Sequence, residues 1–136
     1  MRDFTKLRVW QKAHELALEI YSITQLFPHE ERFGLSAHLR KTGISIASNI
    51  AEGCVRDSDA DLVRFLSIAA GSASEAECQV LLARDLKFLS GETAIGLTNR
   101  IREIRRMLFG LKQSLKPADS HQQESETDSQ ELIAED

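Results

Sequence analysis

The stretch LSAHLRKTGISIASNI, residues 35–50, decides the fold class of this chain. Its apolar positions recur every three or four residues, and turning each residue by about 100° brings them into one narrow sector. These positions are Leu35, Leu39, Thr42, Ile46 and Ile50. The spacing predicts an amphipathic helix from about residue 31 to residue 52, with this sector in a core.

Helical spacing of apolar residues continues on both sides of this stretch, and proline occurs only at positions 28 and 117. We predict a first helix over about 7–26 and a third over about 59–88. The pattern Ser90-x-x-Thr93 is predicted to open a fourth helix. The sequence therefore predicts an all-α fold with four helices, over residues 1–116.

The end of the chain has a different composition. From Pro117 onward there are seven acidic side chains and no Lys or Arg, whereas residues 1–116 carry 17 basic and 14 acidic side chains. Only Leu132 and Ile133 are large apolar residues in that segment. It cannot bury enough surface to offset its ordering entropy. We therefore predict a disordered acidic tail over residues 117–136, following a mildly basic domain.

Several kinds of site are not indicated. The four histidines lack the Glu-x-x-His spacing of di-iron bundles, and no zinc, P-loop or nucleophile-elbow motif occurs, so we expect no metal and no cofactor. Cys54 and Cys78 have no metal or redox spacing. An acid pair of Glu52 with Glu75 or Glu77 is the one enzymatic alternative left open. We expect a protein that is not an enzyme.

The amino-terminal segment and the lengths of the apolar runs predict where in the cell the protein is located. The first twelve residues, MRDFTKLRVWQK, are charged throughout and lack the apolar region of a signal peptide. No apolar run approaches the ~20 residues of a membrane span. We therefore expect a cytoplasmic protein with no membrane partner.

Polar residues interrupt the core pattern in SIASNIAEG, Ser45 to Gly53. Gly53 is the residue type that ends a helix in the left-handed conformation. Ser58 and Asp61 have the spacing of a capping box for the next helix. We predict an interhelix polar network where these two helix ends meet, and a catalytic role is the alternative. Its members are Asn49, Glu52, Arg56, Ser58, Asp61 and Arg64.

Two further apolar stripes exceed the needs of a single core. One lies on the second helix and one on the third, each away from the main core stripe. Apolar surface that no core uses indicates a subunit interface, so we expect a homo-oligomer. The interface residues predicted in this way are Ile44, Ala47, Ala51, Val63, Ala70 and Leu81.

Three blocks of the chain resemble one bacterial family. They are KLRVWQKAHELALEIYSIT, FPHEERFGLSAHLRKTGISIASNIAEG and RDSDADLVRFLSIAAGSASEAE. Together they resemble the 23S rRNA intervening-sequence proteins over about residues 4–115. The resemblance implies an antiparallel up-down-up-down four-helix bundle, commonly a ring of five, with no established enzymatic activity. The chain is also similar to the accessory variability determinant of diversity-generating retroelements, which partners a reverse transcriptase and binds nucleic acid.

The chain departs from the family pattern at three positions. The family usually has proline at Ala47, a basic residue at Ala70 and an aliphatic residue at Ala76. The missing positive charge at position 70 and the acidic tail both weaken a nucleic-acid interaction.

Two functions follow from these observations. In the first, a homopentamer binds RNA or another nucleic acid through its basic surface, beside a protein partner or without one. In the second, the protein is a structural or protein-interaction scaffold with no nucleic-acid role, and its arginines are a solvated helix face. The phosphate contacts predicted for the first function are Arg40, Lys41, Arg64, Arg100, Arg105, Arg106 and Lys112.

Overall fold

Four α-helices dominate residues 2–116, the part of the chain that the computed structural model describes. They are α1 (Arg8–Thr24), α2 (Leu35–Cys54), α3 (Asp59–Asp85) and α4 (Gly91–Ser114). Short 3₁₀ turns at Phe4–Lys6 and His29–Glu31 precede α1 and α2. The described residues contain no strand, and the all-α prediction is confirmed. The predicted acidic tail, residues 117–136, lies outside the described residues.

Each helix packs against the next one along the chain, and α4 also contacts α1. Two contacts join the ends of α1, α2 and α3. The rings of Phe27, after α1, and Phe88, after α3, have centroids 5.6 Å apart. The Arg2 amide, ahead of α1, donates to the carbonyl of Cys54 at the end of α2 over 2.9 Å. These contacts are compatible with the up-down-up-down topology, which stays a prediction.

The core lies between the four helices and consists mainly of leucine, isoleucine and alanine. All five positions of the α2 sector that defined the fold class are buried. Tyr21 of α1 lies outside this core and is 41% exposed. It lies at the α1/α2 edge, where the guanidinium of Arg40 sits 4.6 Å from its ring centroid.

The start of α2 also differs from prediction. The helix begins at Leu35 rather than near Glu31, because Gly34 has φ −105° and ψ −118° and interrupts helical geometry. Glu31, which precedes the helix, interacts with this end of α2. Its Oε1 accepts a hydrogen bond from the Leu35 amide over 3.1 Å and so satisfies a backbone donor of the first turn.

At the other end of α2, the predicted left-handed conformation of Gly53 is wrong. No glycine among the described residues has a positive φ, and α2 continues to Cys54. Gly53 is buried, and a Cβ there would lie 2.8 Å from Leu62 Cδ1 and 3.0 Å from Phe65 Cβ. The glycine is therefore explained by close packing of α3 on α2 and not by the turn.

The caps of α3 and α4 follow the sequence signals. Ser58 accepts a hydrogen bond from the Asp61 amide, and Ser90 accepts one from the Thr93 amide, each over 3.1 Å. The third helix ends at Asp85, before the predicted residue 88, and Lys87 takes a positive φ of 67° just beyond it.

In the middle of α3, Ser72 lies close to α2 and Gly71 does not. A Cβ on Gly71 would meet nothing within 4 Å. The Ser72 hydroxyl, one residue later, lies 2.9 Å from the Ser45 hydroxyl of α2. The two serine hydroxyls thus make a polar contact between the middle of α3 and α2.

Candidate functional site

The turn between α2 and α3 gathers charged residues around one aromatic ring. Arg56 and Arg64 place their guanidinium carbons 4.9 and 4.5 Å from the ring centroid of Phe65. Glu52 pairs with Arg56, and Asp61 lies 3.9 Å from Arg64. Cation–π and ionic contacts at such exposed positions contribute little energy each, about 0.5–1 kcal/mol at most. The arrangement orients the turn and pairs Glu52 with Arg56.

Four of the six residues predicted for the polar network lie in this group, and a fifth, Ser58, caps α3 beside them. Phe65 joins the two arginines from a half-buried position on α3. Its half-buried position was not predictable from periodicity, because the contact depends on Arg56 reaching across the turn.

Asn49 belongs to a different polar group. Its Nδ2 donates to the carbonyl and hydroxyl oxygens of Ser45, over 2.8 and 3.0 Å, and the Ser45 hydroxyl contacts Ser72. These three half-buried side chains connect the middle of α2 to the middle of α3. Hydrogen bonds in a partly buried helix interface favour one alignment of the two helices.

The arginines of α4 face acids on neighbouring helices. Glu77 of α3 lies 3.0 Å from Arg102 Nη2 and 2.9 Å from Arg105 Nη1. The second contact is an ion pair without hydrogen-bond geometry, since Glu77 Oε1 accepts no hydrogen bond. On the other side of α4, Arg100 pairs with Glu19 of α1. Three arginines of α4 are therefore partly neutralised within the chain.

The remaining predicted phosphate contacts lie on separate parts of the surface. Arg106 is exposed on α4, and Lys112 reaches Ser67 of α3 over 3.3 Å. Arg40 instead lies at the α1/α2 edge, where it donates to Thr24 Oγ1 over 2.7 Å. Lys41 is exposed on α2, and Arg64 is at the α2–α3 turn. Within one copy, these residues do not form one continuous surface.

An apolar groove of about 320 Å³ runs between α1 and α2. Leu18 and Ile44 on its two sides are 61% and 44% exposed. The imidazole of His14 stacks on Trp10 with ring centroids 4.8 Å apart. We call this surface the α1/α2 groove; it is lined by Trp10, His14, Ala17, Leu18, Tyr21, Ile44, Ala47 and Ser48.

The groove contains two of the predicted interface residues, Ile44 and Ala47, and Ala51 is half-buried. The interface residues predicted on α3 have an exposure similar to that of Ala47 and Ala51. Val63, Ala70 and Leu81 are half-buried, and Ala70 packs against the core of its own chain.

More exposed apolar side chains of α3 lie on another stripe. Ile68, Leu82 and Leu86 are each between 43% and 50% exposed. Their spacing of 14 and 4 residues returns to the same side of a helix. We call these three residues the α3 ridge. Sequence analysis missed them, although the spacing itself was a readable signal.

The cysteines and acids provide no sign of a reactive centre in the described residues. Cys54 is buried and burial raises the pKa of its thiol, an effect only partly opposed by the positive charge of Arg2. Residues 2–116 contain no cluster of three or more metal-ligating side chains. Within that same range, no helix is long and apolar enough to cross a membrane.

Comparison with known proteins identifies the family. The sequence matches the profile of the 23S rRNA-intervening sequence protein over residues 5–110. The chain belongs to the 23S rRNA-intervening sequence protein family. The resemblance found in the three sequence blocks is thereby confirmed.

A solved structure agrees with this assignment. It is the crystal structure of a protein with unknown function from the S23 ribosomal protein family of Bacteroides thetaiotaomicron VPI-5482. The two structures align with a TM-score of 0.72 and 27% sequence identity, over 77% of this chain and 95% of that chain. A search of curated proteins found no match.

Proposed function

We propose that this member of the 23S rRNA-intervening sequence protein family is a non-enzymatic cytoplasmic homo-oligomer, a ring of five, that binds RNA through a basic surface. The observation that carries the proposal is the charge of α4 in a chain of this family. Five basic side chains and two acidic ones lie on α4, at Arg100, Arg102, Arg105, Arg106 and Lys112 against Glu92 and Glu103. Phosphate backbones bind such surfaces with little dependence on base sequence.

Oligomerisation strengthens the electrostatic argument. Residues 1–116 have a surplus of three basic side chains, which is a weak field for one copy. A ring repeats that surplus in every subunit, and the combined potential attracts a polyanion more strongly. It also allows basic residues that are separated within one copy to approach those of a neighbour.

A non-enzymatic role fits the contacts of the acids considered for catalysis. Glu52 is paired with Arg56, and Glu77 is held by Arg102 and Arg105. Glu75 is exposed on α3. Since a general acid–base pair needs two groups available to the same substrate, these contacts favour a binding role for the protein.

The ion pairs of α4 support a second candidate function. Arg100, Arg102 and Arg105 already face Glu19 or Glu77, so their charges serve to hold α4 against α1 and α3. If this is their main role, the protein is a scaffold for protein assembly without nucleic acid. Arg106 and Lys112 then belong to a solvated helix face.

Fluorescence anisotropy with a labelled structured RNA separates the two functions. We expect the full-length protein to bind at ~50 mM salt and to lose affinity steeply by ~200 mM, because phosphate contacts release counterions. Arg106→Gln should weaken binding, whereas the matched change Gln113→Ala on the same helix should not. Absence of binding at ~50 mM salt would favour the scaffold.

A further inference from the structure

Two apolar surfaces of the bundle have no partner among residues 2–116. The α1/α2 groove is a concave surface between two helices. The α3 ridge is a convex line on one helix, about 27 Å long from Ile68 to Leu86 at 1.5 Å per residue. A groove between two helices is the shape that accepts the side chains of a third helix.

We propose that the α1/α2 groove of one copy receives the α3 ridge of the next copy. The inference rests on the proposed function only in requiring a homo-oligomer. Because the two surfaces differ, the contact is heterologous, and an open chain of copies keeps a free groove at one end and a free ridge at the other until the ring closes. This geometry suits a ring and not a two-fold dimer, in which the same surface would meet itself.

The apolar area is close to the lower limit for a standard specific interface. Seven large side chains take part: Trp10, Leu18, Tyr21, Ile44, Ile68, Leu82 and Leu86. A large side chain buries 150–250 Å² when fully covered, so these partly exposed ones offer roughly 600 Å² of apolar surface together. Standard interfaces bury 1,200–2,000 Å² in total, of which a little over half is apolar.

Opposite charges accompany the two surfaces. Lys41 is exposed on α2, three residues before Ile44 of the groove. Glu75 is exposed on α3, between Ile68 and Leu82 and on the same side of the helix as the ridge. Among residues 2–116 neither of them is in a salt bridge of its own chain. In the proposed contact, Lys41 of one copy would approach Glu75 of the next copy.

The arrangement also specifies which surface the ring presents. The contact uses α1, α2 and α3, and α4 takes no part in it. The basic side chains of α4 would therefore remain accessible in every subunit. Lys41 would instead lie at the contact between copies, so it would not be a phosphate contact.

Complementary variants test the heterologous contact by light scattering. Ile44→Glu places a charge in the groove and Leu82→Glu places one on the ridge; both positions are half-exposed, so the fold should survive. Each variant alone should assemble about 30-fold more weakly or worse, and run near the monomer mass of 15.3 kDa. Mixed together, they retain one intact groove and one intact ridge, and should form a 1:1 dimer.

Phe33→Ser is the matched control, since it removes an apolar side chain that is 81% exposed but lies outside both surfaces. It should keep the mass of the unmodified protein, and circular dichroism should show native helix content in all variants. If both charged variants also keep that mass, or if their mixture stays monomeric, the inference is wrong while a homo-oligomer stands. A monomeric unmodified protein would instead overturn the oligomer of the proposed function.

A charge exchange provides a second test. Lys41→Glu alone and Glu75→Lys alone place like charges at the contact and should each weaken assembly. The double variant restores opposite charges between neighbours and should recover the mass of the unmodified protein. Equal weakening in the double variant would contradict the pairing of these two surfaces.

Discussion

Individual residues in this bundle are constrained by what lies beside them in space. Gly53 is the clearest case, because it is helical and yet cannot carry a side chain without displacing Leu62 and Phe65 of α3. Gly71 is also helical but has open space around it. The same residue type therefore has opposite effects on stability at the two positions.

Substitution of both glycines by alanine tests this difference. Gly53→Ala should lower the free energy of unfolding by about 1–3 kcal/mol through overpacking. Gly71→Ala should raise it by about 0.5–1 kcal/mol, because alanine favours an exposed helix interior. Urea denaturation of the two variants measures both changes. Equal stabilisation by both would show that α3 moves aside at Gly53 without cost.

The polar residues of SIASNIAEG should also differ in their effect on stability. Asn49→Ala removes two half-buried hydrogen bonds to Ser45 and should cost about 0.5–1.5 kcal/mol. Glu52→Ala removes an exposed ion pair and should cost less than about 0.5 kcal/mol. Thermal melts of the two variants check the order. A larger loss of stability for Glu52→Ala would indicate that the charged residues around Phe65 are more rigidly held than their exposure suggests.

Burial of Cys54 predicts selective thiol chemistry. Since burial raises the pKa of its thiol from the ordinary value of 9.0, the folded chain holds this proton more tightly than the unfolded chain does. The corresponding stability is complete below about pH 9 and is lost as the pH rises through the folded-state pKa. At pH 8, iodoacetamide should modify the exposed Cys78 quickly and Cys54 only after unfolding, as peptide mass spectrometry can measure. Rapid labelling of both would show that the end of α2 opens readily.

At the scale of elements, α3 and α4 are joined by charge as well as by apolar packing. Glu77 is the centre of this connection, with its side chain only 13% exposed and two arginines of α4 against it. A carboxylate in such a position can be replaced only by a group that also satisfies the arginines. The pairing helps to set the position of α4 along α3.

Removal of this carboxylate should therefore be costly. Glu77→Ala leaves Arg102 and Arg105 without their partner and should lower the free energy of unfolding by about 1–3 kcal/mol. The estimate is kept low because Arg102 is half-exposed and solvent screens its charge. Glu15→Ala, at an exposed position of α1, is the control and should change stability by less than about 0.5 kcal/mol. Urea denaturation measures both, and similar values would show that apolar packing alone positions α4.

At the scale of the whole molecule, the basic domain and the acidic segment after it have opposite charge. Residues 1–116 have a surplus of three basic side chains, whereas residues 117–136 contain seven acidic ones. Both are part of one chain, so the acidic segment is always at high local concentration near α4. If α4 binds phosphates, the two compete for the same arginines.

Deletion of residues 117–136 should therefore tighten RNA binding. The gain should be larger at ~50 mM salt than at ~200 mM, because salt screens the competing carboxylates. Anisotropy titrations of the full-length and truncated proteins with the same RNA measure the gain. Unchanged affinity would show that the acidic segment does not compete. Absence of binding by the truncated protein at ~50 mM salt would favour the scaffold function.

Much of the architecture was determined by the sequence alone, because it depends on residues close together along the chain. The spacing of apolar residues predicted four helices and the core side of α2, and Ser58 and Ser90 marked the starts of α3 and α4. Caps and helix periodicity depend on residues three or four positions apart. The three sequence blocks likewise indicated the family, because they are stretches of consecutive residues.

Tertiary structure decided the features that join residues far apart in sequence. It showed that Gly53 permits close packing, that Phe65 lies between two arginines, and that the basic residues are divided among several edges of the bundle. It also showed Glu77 between Arg102 and Arg105, a contact across 25 or more positions of the chain. None of these follows from periodicity, because helical spacing specifies which side of a helix a residue occupies but not which neighbour it meets or at what distance.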